Sequence, residues 1–360
     1  MMKNLIPSPL KELHIAKKAE LGEFAGWEVA LSFTNSIDES LTVRNEVGVF
    51  DVSHMGRIIV KGKDSKHLLD YLITKNVLKL KPGKIIIPTA MLNEKGGFID
   101  DLSLFMLEED EFLIVCNVIN RIKILNWIKE KSKLLNCNVE VNDITLKTAM
   151  LAIQGRKIDK LEFLPLNLER ESFLKDYEIL SIKTYIISKS GWTGENGFEI
   201  ITGVEEGKKL WLSLLNNGIK PCGIVSRDIL RLEAGFLLYG NEINEEIDPI
   251  RARYWIFSLK KGEYIGKKAI EEIIEEGVDV IRACFVMKDK GPLPRKGSEV
   301  YAGKKMIGKI TSGGYSPSQG KGIAMGYIKA NYFYLGGIVQ IKIREVLYEA
   351  RIQEPPFFKK

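Results

Sequence analysis

Stretches in which apolar residues return every three to four positions alternate along this chain with shorter apolar runs, and the two patterns predict different elements. Helical spacing predicts helices over residues 36–44, 64–72, 120–135 and 206–216. In the third, Ile122, Ile124, Leu125 and Ile128 carry the period; in the fourth, Leu210, Leu212, Leu214 and Leu215 do. Strand-like runs lie between them, notably 98–107 and 112–117, so the class is α+β rather than an alternating parallel sheet. After Gly277 the texture changes. Short runs at 282–287, 299–302, 306–311, 322–328 and 339–352, separated by glycines, predict a small antiparallel β-barrel. A chain of 360 residues is too long for one ordinary core. The boundary is set near residue 277, dividing residues 1–276 from 277–360.

Polar residues that interrupt an apolar pattern are the candidates for chemistry. Asp100 and Asp101 stand together inside the run that follows Gly96 and Gly97. Side chains alternate along a strand, so Asp100 shares a face with Phe98, Leu102 and Leu104, and Asp101 with Ile99, Ser103 and Phe105. A buried carboxylate without partners is costly. Either one Asp is bonded locally beside a glycine turn, or the pair belongs to a polar site. A three-residue loop over residues 108–110 would make the next run a hairpin partner and set Asp101 opposite Asn117.

Two further interruptions stand out. Gly191, Gly194 and Gly197 recur every third residue around Trp192 and Thr193. They describe a tight bulged hairpin, or a backbone that a flat ring can approach closely. Glu199 follows between Phe198 and Ile200. Ser226 is the predicted N-cap of a helix over residues 227–232. Arg227 then sits in the first turn, where a cation opposes the helix dipole, and so answers a carboxylate or a ligand. Arg231, near Glu233, is read as structural, and so is His54.

Composition narrows the classes. Hydrophobic residues at 45% with 28% charged describe a soluble globular chain rather than a disordered one. The apolar runs, such as 84–88, are too short to cross a bilayer, and Met1-Met2-Lys3-Asn4 opens no signal core, so a cytoplasmic protein without membrane association is expected. The 4 Cys are scattered and the 3 His separated, which predicts neither disulfides nor a metal site. A net charge of +6 without a local Lys/Arg block favours an anionic small molecule or an acidic protein over nucleic acid.

Six segments then occur in order: Val49-Phe50-Asp51-Val52-Ser53-His54-Met55-Gly56, the Gly96–Leu102 run, Leu151-Ala152-Ile153-Gln154-Gly155, the run from Gly191 to Ile200, Arg227-Asp228-Ile229-Leu230-Arg231-Leu232-Glu233-Ala234-Gly235, and Ile310-Thr311-Ser312-Gly313-Gly314-Tyr315-Ser316-Pro317. Together they resemble the aminomethyltransferase, or T-protein, family of the glycine cleavage system. The resemblance implies a three-domain cloverleaf, with a folate-binding module of two interwoven subdomains plus the C-terminal barrel. It implies transfer of a methylene carbon from the aminomethyl-lipoyl arm of H-protein to tetrahydrofolate, with release of ammonia and without a metal. H-protein and other glycine cleavage components would be the partners. Asp101 would be the catalytic acid, and Met55, Asn117, Trp192, Glu199 and Arg227 would hold the folate, Glu199 at the amino-pyrimidine edge. Lys359 would meet the folate tail, if it is not simply a solvated terminus.

Some positions depart from the family pattern: Ile87-Pro88 replaces Tyr-Ser, and Trp192 stands where Tyr is commoner. They keep two alternatives open, a paralogous folate-dependent demethylase acting on another small methyl donor and a non-catalytic folate-binding accessory protein. The Lys261-Gly262-Glu263 stretch lacks the cysteine of the accessory proteins and counts against the second.

Overall fold

The computed structural model describes residues 5–358, and the chain gathers into two compact units. The first holds the residues up to 91, residues 99–227 and residues 260–264; the second holds residues 92–98, 228–259 and those from 265 onward.

The first unit contains two sheets of chemical interest. A six-stranded sheet runs in spatial order Phe173–Lys175, Ile186–Ser188, Gly197–Gly203, Thr148–Gln154, Gly48–Asp51 and Lys220–Pro221. Its strands Thr148–Gln154 and Gly197–Gly203 are buried at every position, as their near-continuous apolar sequences require. The helix Val204–Asn216 covers this sheet, and its Leu210, Trp211 and Leu214, spaced at helical period, enter the core with Leu151, Ile153, Phe198 and Ile200.

A five-stranded sheet runs in the order Ile85–Leu92, Phe98–Glu108, Glu111–Cys116, Gly56–Lys61 and Glu140–Asp143. The expected hairpin is present with a different turn. Glu108 pairs Glu111 around a two-residue turn, and a register shift between Met106 and Glu108 supplies the extra residue. The shorter turn and the bulge cancel, so Leu102 still pairs Cys116, and one step further sets Asp101 opposite Asn117.

The four predicted helices are Ser36–Asn45, Ser65–Leu72, Arg121–Leu134 and Val204–Asn216. Ser226, by contrast, caps nothing. The helix Ile224–Ala234 begins two residues earlier, and the Ser226 hydroxyl donates back to the Gly223 carbonyl at 2.7 Å. Its N-terminal end is anchored by Glu39, whose carboxylate accepts the Gly223 N–H at 2.7 Å, a negative charge where the helix dipole favours one. Glu39 lies 184 positions away in sequence, beyond the reach of a local capping rule.

In the second unit, six strands close into a barrel in the order Val280–Met287, Lys321–Lys329, Lys305–Ser316, Glu299–Ala302, Ile338–Ile343 and Val346–Ile352, the last pairing the first. Phe285, Ile310, Ile328, Ile341 and Ile352 fill its core. Residues 339–352 are two strands, not one run: Arg344 and Glu345 turn with φ of 48° and 67°. A turn with both central residues in the left-handed region normally takes Asn or Gly, so Arg-Glu gave no sequence signal. The helix Lys267–Glu276 was also not anticipated. Among the described residues no helix is long and apolar enough to cross a membrane.

Candidate active site

The Asp pair sits near the start of the strand Phe98–Glu108, level with the point where Glu111–Cys116 ends and Gly56–Lys61 begins. Gly56 pairs Cys116 and Cys116 pairs Leu102, so Met55, Asn117 and Asp101 occupy the next rank, side by side at one sheet end. The two carboxylates there differ sharply. Asp101 is part-exposed, whereas Asp100 has no exposed surface. Asn117 joins them: its backbone N–H donates to Asp100 Oδ2 at 3.0 Å, and its side-chain Nδ2 lies 2.8 Å from Asp100 Oδ1 and 2.9 Å from Asp101 Oδ1. Asn120 Nδ2 adds a third donor to Asp100 at 2.7 Å. Burial pushes the Asp100 carboxyl well above the usual carboxylate range, the neighbouring Asp101 charge adds to this, and the amide donors oppose it.

The second group stands on the six-stranded sheet. Phe50 pairs Ala152 and Ala152 pairs Glu199, so Phe50 and Glu199 share one face and one rank. Arg227 lies over that face, its guanidinium 5.7 Å from the Phe50 ring and 5.6 Å from the Trp192 ring. Its Nη2 is 3.4 Å from Glu199 Oε1, so the cation in the first helical turn does answer a carboxylate. Arg227 is 3% exposed, yet its buried Nη1 has no hydrogen-bond partner among the described residues. Burial lowers the Arg227 pKa and Glu199 raises it in part. Ser190 Oγ donates to the other oxygen of Glu199 at 2.7 Å.

The loop carrying Trp192 is built around a side chain with no role assigned to it from the sequence. Gln154, at the end of its strand, donates to the Ser190 carbonyl at 2.9 Å and accepts from the Thr193 hydroxyl at 2.7 Å and the Trp192 N–H at 3.2 Å. The connection is an open eight-residue loop between Ile186–Ser188 and Gly197–Gly203, not a tight hairpin. A Cβ on Gly191 would lie 1.9 Å from Gln154 Nε2, and one on Gly197 2.3 Å from the Ile153 carbonyl oxygen, which explains two of the three glycines. Arg44 ties down the same loop through the Thr193 carbonyl at 2.8 Å and Glu195 at 2.9 Å.

Residues 52–55 connect the two groups, leaving the six-stranded sheet after Asp51 and entering the five-stranded sheet at Gly56. Arg57 fixes this crossing. Fully buried, it donates to the carbonyls of Met55 at 2.6 Å, Ser53 at 3.0 Å and Thr145 at 2.6 Å, and to the Thr148 hydroxyl at 2.7 Å. Burial lowers its pKa to about 10, so it stays charged at neutral pH. His54 packs edge-on to Phe24 at 5.3 Å. Its pKa is lowered to about 4, chiefly by burial, with Arg227 and Arg57 adding and Asp51 opposing. The imidazole is therefore neutral at physiological pH and feels charges from both groups.

Of the residues singled out from sequence, Met55, Asn117 and Asp101 come together at one sheet end, and Trp192, Glu199 and Arg227 at the other sheet. Lys359 lies outside the described residues. Arg231 is a strut, 2.9 Å from Glu242, 2.8 Å from Asp228 and 2.8 Å from the Ser312 hydroxyl. Among the described residues no group of three or more His, Cys, Asp or Glu side chains is placed to hold a metal ion.

Known proteins share this architecture. The family model described as the GCVT N-terminal domain matches residues 10–261, and that of the glycine cleavage T-protein C-terminal barrel domain matches residues 282–359. A probable aminomethyltransferase of Aeropyrum pernix is 39% identical over 96% of both chains. An aminomethyltransferase of Thermosipho melanesiensis is 39% identical over 98% of this chain and 97% of its own. The crystal structure of the glycine cleavage system aminomethyltransferase T from Bartonella henselae matches with a TM-score of 0.90 at 29% identity, covering 98% of each chain. With both family models matched and relatives this similar end to end, the chain belongs to the glycine cleavage T-protein family of aminomethyltransferases.

Proposed function

We propose that this aminomethyltransferase takes its one-carbon unit from the aminomethylated lipoyl arm of an H-protein and passes it to tetrahydrofolate. The carbon–sulfur and carbon–nitrogen bonds of the donor break, two bonds form to folate nitrogens, and ammonia and the dihydrolipoyl thiol leave. The observation that carries this reading is the part-exposed Asp101, held by Asn117 beside a fully buried Asp100.

Asp101 accepts a hydrogen bond from the attacking ring nitrogen, which strengthens a weak amine nucleophile and receives its proton. Glu199 suits the amino-pyrimidine edge of a pterin, because a carboxylate accepts from two adjacent donors. The unmatched Nη1 of Arg227 offers a charged donor to a ring carbonyl, and Trp192 supplies an aromatic plane. Met55 and Asn117 complete the pocket wall, and the net charge of +6 favours an acidic carrier.

The test is an assay with aminomethylated lipoyl carrier and tetrahydrofolate, scoring methylenetetrahydrofolate and ammonia together. Asp101→Asn is expected to retain folate binding and to lose turnover by roughly 10²–10⁴-fold, the range of a general acid–base contribution. Full activity in that variant overturns the assignment. Folate binding without product from the carrier, but turnover of another methyl donor, would replace it with the demethylase reading.

A further inference from the structure

Asp100 is a buried carboxyl that the reaction above does not use, and its surroundings are those of a clamp. It has no exposed surface, and among the described residues its hydrogen-bond partners are all N–H donors: the Asn117 backbone N–H on Oδ2, and Asn117 Nδ2 with Asn120 Nδ2 on Oδ1. Asn117 is thus gripped at two points by the two oxygens of one carboxylate, which fixes both its backbone and its side-chain amide. The same Nδ2 lies 3.0 Å from the Asp101 carbonyl and 2.9 Å from Asp101 Oδ1. An amide nitrogen has two hydrogens. With one committed to Asp100, the other is directed at Asp101.

We infer that Asp100 is a positioning residue: by gripping Asn117 at two points it aims the amide at Asp101 and holds that carboxylate in its working orientation. This rests on the reading of Asp101 as the carboxylate that meets the reacting nitrogen. Asp100 touches no substrate and acts through Asn117. Asn120, just ahead of the helix Arg121–Leu134, is the outer support of the clamp. The charged and titratable groups that act on this corner are Asp101 on the same strand and Cys116 on the facing strand, with Arg57, Arg121 and Asp143 around Cys116.

Asp100→Asn keeps the shape but gives one of the two clamp positions an NH2 that cannot accept, so one grip on Asn117 is lost. The expected result is a fall in kcat of about 10–100-fold with KM for tetrahydrofolate changed less than about threefold, since the pocket wall is intact. Because Asp100 acts through Asp101, adding Asp100→Asn to Asp101→Asn should cost little more. A structural strut alone would instead lower the melting temperature and leave kcat per folded molecule unchanged. That result, or a full second loss of kcat when Asp100→Asn is added to Asp101→Asn, overturns the proposal.

A second readout does not depend on turnover. The Asn117 backbone and side-chain N–H groups, followed by ¹⁵N NMR in the resting protein, should exchange slowly with water, and one of the two should become fast in Asp100→Asn. If both signals and their exchange are unchanged, the clamp is refuted whatever the activity. If the signal responds as expected but the wild type moves no carbon to folate, the clamp stands and the folate reading fails. Should Asp100→Asn not fold, Asn120→Ala removes only the outer support and should lower kcat several-fold in the same direction; no loss there overturns the proposal.

Discussion

The two polar groups on either side of residues 52–55 solve the same problem in opposite ways. At the end of the five-stranded sheet, two carboxylates are held by neutral amides, and the buried cation Arg57 is held by carbonyl and hydroxyl oxygens. There the buried charges Asp100 and Arg57 meet several partners each. On the six-stranded sheet, Arg227 meets Glu199 at only 3.4 Å, and its buried Nη1 has no partner among the described residues. A buried unmet donor on a charged group costs on the order of 1–3 kcal/mol or more, so an acceptor supplied there would be favoured. On the function proposed above, the first region carries the chemistry and the second receives the folate.

The contrast is broken most directly by removing the two arginines in turn. Arg57→Met leaves the carbonyls of Ser53, Met55 and Thr145 without their donor and should cost about 3–5 kcal/mol of unfolding free energy, measured by denaturant titration. Arg227→Met should cost clearly less stability, because its guanidinium is underused in the free protein. It should instead weaken tetrahydrofolate binding by roughly 30–100-fold, the loss of one charge-assisted hydrogen bond of about 2–3 kcal/mol. Equal stability losses with unchanged affinity would erase the distinction between the two regions.

These regions were unequally legible in the sequence. The Asp pair could be read because strand alternation gives faces directly, and because counting back from the turn gave Asn117 as the partner. The assumed loop was one residue too long, but the bulge after Met106 restored the count. Glu199 stood out as an interruption between Phe198 and Ile200. Arg57 did not: in Gly56-Arg57-Ile58 it looks like an ordinary polar strand residue, and its partners Thr145 and Thr148 lie 88 and 91 positions away. Gln154 was invisible for the same reason, since Ser190, in the loop it organises, lies 36 residues later. Its one signal was an amide ending the apolar run Leu151-Ala152-Ile153. Local rules recover what neighbours determine, and both missed residues are defined by distant backbone.

The residues that join the two regions give a smaller effect with a definite sign. His54 has its pKa lowered from 6.5 to about 4 in the folded protein. Between those values the unfolded chain binds a proton that the folded one refuses, so stability contributed by neutral His54 is present above about pH 6.5 and is lost as pH falls toward 4. The loss is on the order of 3 kcal/mol across that window. His54→Gln should flatten this part of the stability profile relative to wild type, while the carboxylate titrations common to both remain. Identical profiles would place His54 in contact with water or a stabilising acceptor.

The smallest effect tests whether the loop carrying Trp192 is organised by Gln154 or only by its glycines. A Cβ on Gly191 would fall 1.9 Å from Nε2 and 2.2 Å from Oε1 of Gln154, so Gly191→Ala must push that amide aside. The bonds to Ser190, Trp192 and Thr193 would then weaken together, at about 1–2 kcal/mol of stability by analogy with a disrupted buried hydrogen-bond network. If the clash with Gln154 is the whole reason for the glycine, the same substitution in a Gln154→Ala background should cost only a few tenths of a kcal/mol, the double-mutant cycle reporting the coupling. An additive double variant would mean that Gly191 is needed for its own backbone, leaving Arg44, through Thr193 and Glu195, to hold the Trp192 loop in place.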